Sequence, residues 1–169
     1  GYNVQRLIQN LGEHEFGFEK TAYLLLFGEL PNDEELTEFC DVLGSCRTLP
    51  TNFTRDVIMK APTQDIMNSM TRSILTLASY DPKTSISDID NNIRQCIQLI
   101  AQMPVILTSA YQVKRRVYDK KSMYFHQNKP GLCTAESILR SIRPDKTFTD
   151  DEAKLLDVCM ILHAEHGGG

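Results

Sequence analysis

Two histidines three residues apart, His163 and His166 in ILHAEHGGG (161–169), are the pair whose type and spacing could do chemistry. A neutral imidazole both donates and accepts hydrogen bonds near pH 7, which suits a carboxylate or carbonyl of a small substrate. Three readings fit the pair. The histidines could simply be hydrogen-bonded at a helix C-terminus, where the dipole favours positive charge. They could share a metal ion, although only Glu165 lies between them as a further ligand and no HExxH occurs. They could form an anion or substrate site completed by residues beyond Gly169, with the three glycines letting backbone approach a ligand closely. Pattern alone leaves all three open. Other chemistry is thin. The GGG follows a helix rather than opening one, which is the wrong end for phosphate, and no GxSxG is present. No cysteine has a context that marks a nucleophile. His14 and His126 stand alone in polar loops and are expected to be solvated, and Arg115, Arg116, Lys120 and Lys121 read as a solvated face.

The element that must carry the pair is a helix opened by TDDE, where Thr149 and Glu152 form a capping box. On it Leu155, Cys159, Leu162 and His166 share one face, and Leu156, Met160 and His163 the adjacent stripe. Both histidines are therefore expected near the buried side. Upstream the chain reads as helix after helix. FEKTAYLLLFG is expected to bury Phe18, Ala22, Leu25 and Leu26 and to stop at Gly28. PNDEELTEFCDVLG has Asn32 and Glu35 as a second capping box, a stripe of Leu36, Phe39, Cys40 and Leu43, and Gly44 as its stop. Ile66, Met67, Met70, Ile74 and Leu77 define a helix over 63–79, broken by YDPKT. A long helix follows over 85–113, with Ile86, Ile89, Ile93, Ile97 and Ile100 on one side and a bend expected at Pro104. A polar, basic stretch from Lys114 to Gly131 is expected to hold a helix end and a loop, followed by a short helix over 134–142. No stretch alternates with strand period, so the fold class is all-α.

Composition bounds the rest. At 169 residues, 41% hydrophobic and 24% charged with a net charge of −4, the chain is the size of one domain. No basic block interleaved with aromatics occurs, which argues against nucleic acid as a partner. The N-terminal GYNVQRLIQN carries no signal-like core, and no uninterrupted apolar run nears the roughly 20 residues of a membrane span. Cys40, Cys46, Cys96, Cys133 and Cys159 form no CxxC and read as free thiols in a reducing, cytoplasmic setting.

Four segments together resemble the citrate synthase family over essentially the whole chain. GYNVQRLI looks like its entry segment, FEKTAYLLLFGELPNDEEL like its helix–turn–helix with the LLxGELP block, and AESIL (135–139) stands where A-E-N-F-L is usual. ILHAEHGGG is similar to the signature LxLHAxHxxNxS and is the most specific of the four. The chain departs from the family at APTQDIMNSM (61–70), where His-Pro-Met is frequent, and at Ser137 and Ile138, which replace Asn-Phe.

The resemblance implies a reaction, condensation of acetyl-CoA with oxaloacetate to citrate and CoA, with acetyl-CoA as substrate and no resident cofactor or metal. It implies that His166 hydrogen-bonds oxaloacetate and that His163 supports the same pocket. The family's enol-stabilising histidine and catalytic aspartate would follow residue 169, so no catalytic residue is expected within 1–169. The chain is thus expected to be a truncated large helical domain, a multi-helical bundle lacking the small domain and closing helices, inactive alone and homodimeric in the full protein. The stripes at 66–77 and 86–100 are candidates for the dimer interface as well as for core. A 2-methylcitrate synthase using propionyl-CoA, and a non-catalytic helical interaction module, are the alternatives.

Overall fold

The computed structural model describes residues 1–13 and 15–165. Among these residues there are seven α-helices: α1 Val4–Gln9, α2 Phe18–Phe27, α3 Asp33–Cys46, α4 Ile66–Leu77, α5 Ile89–Val117, α6 Thr134–Ile142 and α7 Asp150–Leu162. A π-helical turn spans Thr54–Met59 and a 3-10 turn Ala78–Tyr80. Among the described residues there is no strand, as expected.

Local chemistry sets most of the helix starts. Asn32 and Glu35 exchange hydrogen bonds at α3, as do Thr149 and Glu152 at α7, so two donors at each start are satisfied reciprocally. Cys133 fills the same position at α6, its Sγ accepting from the Glu136 N–H. Asp65 and Asp88 cap α4 and α5 through the N–H groups of Asn68 and Asn91. Both helices therefore begin later than the expected residues 63 and 85. Residues before Asp88 are held in a turn instead, where the Asn91 amide donates to the carbonyls of Lys83 and Ile86. At the far end α5 continues four residues past the expected stop and runs through Pro104 without interruption. Gly28 ends α2 with φ +83°, the left-handed value expected of it.

Gly44 does not end α3. The helix continues to Cys46, and the glycine serves contact instead: a Cβ there would stand 2.3 Å from the carbonyl oxygen of Pro130. Leu25 and Met67, expected inside, are exposed, and the buried positions of α2 are Glu19, Thr21 and Ala22.

The centre of the molecule is α5, against which α3, α4, α6 and the π-helical turn pack. Ile106 on it is fully buried and joins Phe53, Ile58, Met70, Leu77, Ala110 and Val113 in the larger core cluster. A second cluster joins Ala22, Phe39, Leu43 and Ala101. By length and composition alone α5 could cross a membrane, contrary to the sequence expectation, because interspersed amides broke up the apolar run without adding charge. Its position accounts for part of that composition, since α3, α4, α6 and the π-helical turn pack against it and partly bury it. Buried amides on it tie loops to the core. Gln112 donates to the carbonyls of Ser141 and Ile142 and accepts from Tyr124 N–H, while Gln102 donates to Thr48 O.

Candidate functional site

The histidine-bearing end of α7 is built from a face that sequence pattern does not reveal. Ala153, Asp157 and Ile161 are the buried residues of α7, whereas Leu155, Cys159, Leu162 and His163 are exposed. The expectation that the histidine stripe lies near the buried side is thus corrected at His163. The physical reason is a polar clamp. Lys154, Asp157 and Ile161 follow one another by three and four residues and grip the segment ahead of α2. Lys154 Nζ donates to the carbonyls of Gly12 and Glu15. The Asp157 carboxylate accepts from the backbone N–H of Gly17 at 2.7 Å and of Phe18 at 3.0 Å. These N–H groups belong to the open first turn of α2, where a carboxylate is favoured by both unpaired donors and the dipole. Burial nevertheless pushes the Asp157 carboxyl above the usual range, with the two N–H bonds pulling it back. Ile161 then packs against Gly17, where a Cβ would lie only 2.8 Å from its Cδ1.

A second buried carboxylate works the same way. Glu19, 3% exposed, accepts from the N–H of Thr134 at 2.6 Å, so α2 in turn holds the start of α6. The opening of α7 is fixed from outside by Arg143, whose guanidinium takes both oxygens of Glu152 at 2.7 Å. That pairing, with the backbone bond to Thr149, lowers the Glu152 carboxyl to about 2.

His163 is the C-cap of α7. Its Nδ1 lies 2.7 Å from the carbonyl oxygen of Cys159, one turn back. A carbonyl only accepts, so Nδ1 carries the hydrogen, and Nε2 is the ring nitrogen left for a ligand. His163 therefore meets the first reading of the pair, a histidine satisfied at a helix end, while keeping one nitrogen available on an exposed ring. His166 lies outside the described residues. Among those described, no group of three His, Cys, Asp or Glu side chains is gathered as a metal would need.

Of the lone histidines, His14 lies outside the described residues. His126 is corrected from solvated to half-buried, its Nε2 2.8 Å from Arg143 O and its ring stacked on Tyr124. The five cysteines are free. Burial pushes the Cys40 thiol up to about 11 and raises that of Cys133 as well, which leaves both poor nucleophiles at neutral pH. Among the basic residues read as a solvated face, Arg115 lies over the Tyr111 ring and Lys120 donates to Val117 O.

Sequence reasoning missed Asp157, Glu19 and Lys154. Their only signal is negative: a polar residue standing where the helical period calls for an apolar one.

Comparison with known proteins covers the same ground. The family described as citrate synthase, C-terminal domain, matches residues 1–169. A citrate synthase of Haloferax volcanii is 27% identical over 99% of this chain and 42% of its own length. A 2-methylcitrate synthase of Corynebacterium glutamicum is 25% identical over 98% of this chain and 42% of its own. The crystal structure of citrate synthase from Pyrobaculum aerophilum superposes with a TM-score of 0.81 at 20% identity, over 99% of this chain and 41% of that one. The chain thus spans about two fifths of the length of the relatives it matches.

Proposed function

This chain belongs to the citrate synthase family, and from that premise we propose that the full-length protein condenses acetyl-CoA with oxaloacetate to give citrate and CoA. The observation that carries the reading is the HAEH sequence at the end of α7, with His163 exposed and its Nε2 available. In this reading His166 hydrogen-bonds oxaloacetate and His163 supports the same pocket. The described chain forms part of the large helical domain, and the remainder of the protein supplies the small domain, the closing helices and the proton-transfer groups.

The chemistry explains why this piece is expected to be inactive by itself. A weakly acidic thioester methyl must lose a proton beside a polarised carbonyl, in a cleft from which water is excluded. An exposed histidine at an open helix end can hold a carboxylate but cannot exclude water. A homodimer packed through α4 and α5, and a reducing cytoplasmic setting suited to free thiols, belong to the same reading. The similarity to a 2-methylcitrate synthase favours a second one, with propionyl-CoA as the acyl donor. One methylene gives discrimination of only about 1–3 kcal/mol.

The test is CoA release by the full-length protein, with His166→Ala beside it. We expect activity that requires oxaloacetate and a fall in kcat/KM of about 100-fold or more in the variant, as for loss of one well-placed donor. A fully active His166→Ala protein would remove this histidine from the site.

A further inference from the structure

We propose that Asp157 is a positioning residue: by accepting hydrogen bonds from the Gly17 and Phe18 N–H groups, it fixes the histidine-bearing end of α7 against the start of α2. The inference rests on the reading of His163 and His166 as the oxaloacetate end of the molecule, and it concerns how that end is held.

Asp157 is fully buried, and its partners lie about 140 residues away in sequence. The ammonium of Lys154 is spent on the carbonyls of Gly12 and Glu15 and favours the Asp157 carboxylate only through its charge, without a hydrogen bond to it. A buried carboxylate without a cation costs stability unless its lone pairs are met by donors, and here each oxygen receives one: Oδ2 from Gly17, Oδ1 from Phe18. Two parallel acceptors are a property of Asp and not of Asn. An Asn side chain offers one oxygen and turns an NH2 toward the other N–H, losing one bond and opposing two donors.

The placement along α7 gives the clamp its consequence. One turn beyond Asp157, Ile161 is 3% exposed and lies against Gly17, and past it Leu162 and His163 are exposed. Among the described residues, Asp157 and Ile161 are therefore the last buried anchors ahead of the histidines. Whatever register they set is carried through Leu162, the last residue of α7, onto its C-cap His163. Reacting groups held within about half an ångström depend on such supporting contacts.

Steady-state kinetics of the full-length enzyme test this through a split between the two substrates. Asp157→Asn is expected to raise the KM for oxaloacetate by about 10- to 100-fold, the scale of a misplacement near 1 Å, while the KM for acetyl-CoA stays within about twofold. Gly17→Ala, which pushes on Ile161 and Leu11 and keeps the Asp157 carboxylate chemically unchanged, is expected to shift the oxaloacetate KM the same way by less, and it keeps the test open if Asp157→Asn fails to fold. Asn32→Ala, at the capping box of α3, should lower Tm and leave both KM values as they were. If Asp157→Asn or Gly17→Ala lowers Tm with native KM values, or raises both KM values alike, while His166→Ala still raises that for oxaloacetate, positioning is overturned and the site reading stands. A wild-type protein that neither releases CoA nor binds oxaloacetate would overturn both.

Discussion

Glu152 and Asp157 lie on the same helix, and their surroundings drive them in opposite directions. The Arg143 guanidinium holds the Glu152 carboxyl at about 2, below its ordinary 4.5, whereas burial raises that of Asp157 above its ordinary 3.8. The linkage signs follow. A carboxyl lowered by folding contributes stability above its unfolded pKa, and Glu152 loses that contribution as pH falls from about 4.5 towards 2. A carboxyl raised by folding acts the other way, so Asp157 detracts progressively as pH rises past 3.8. We expect Arg143→Gln to flatten the acid side of the Tm-versus-pH curve between pH 4.5 and 2, with little change in slope at neutral pH. An acid limb identical to wild type would show that the pair contributes nothing to folding. Residue-scale features of this kind were unevenly legible. Asn32–Glu35 and Thr149–Glu152 could be read directly because a capping box is complete within four residues. The partners of Asp157 and Glu19 lie more than a hundred residues away, and no local pattern encodes them.

At the scale of elements, Gly44 offers the sharpest test of how α3 is used. In an ordinary helix interior, Gly→Ala stabilises by up to about 1 kcal/mol. Here the new Cβ would meet the backbone oxygen of Pro130 at 2.3 Å, and a backbone atom cannot swing aside. We expect Gly44→Ala to destabilise by about 1–3 kcal/mol, the usual cost of overpacking, read as a fall in the urea midpoint at constant m. A stabilised variant would contradict the close approach of α3 to the loop before α6. The same glycine shows why helix ends were harder to read than helices. A glycine after a periodic stripe signals a stop just as well as it signals contact, and Pro130 is remote in sequence. The number and order of the main helices followed from stripes at 3.6-residue spacing. The short α1 and the π-helical turn at Thr54–Met59 carry no such stripe. The buried face of α7 was misread because two of its clamp residues are charged, and periodicity counts only apolar side chains.

Across the whole molecule, exposed apolar side chains are spread over several helices. Leu75 is 71% exposed, Ile89 74%, Met67 67%, Leu155 68% and Leu162 53%. Where such side chains form one contiguous patch, they mark a surface that binds other protein. We expect the 169-residue chain to self-associate on sedimentation, and the double variant Leu75→Glu, Leu155→Glu to reduce that association. A wild-type monomer at high concentration would contradict it.

The proposed function is tested most directly by the product of the full-length protein given oxaloacetate with equal acetyl-CoA and propionyl-CoA. The account predicts CoA release with citrate as the main product. Mainly 2-methylcitrate would contradict the choice of acyl donor while keeping the chemistry. No CoA release from either thioester would contradict the enzyme itself and leave a helical fold that serves only for interaction.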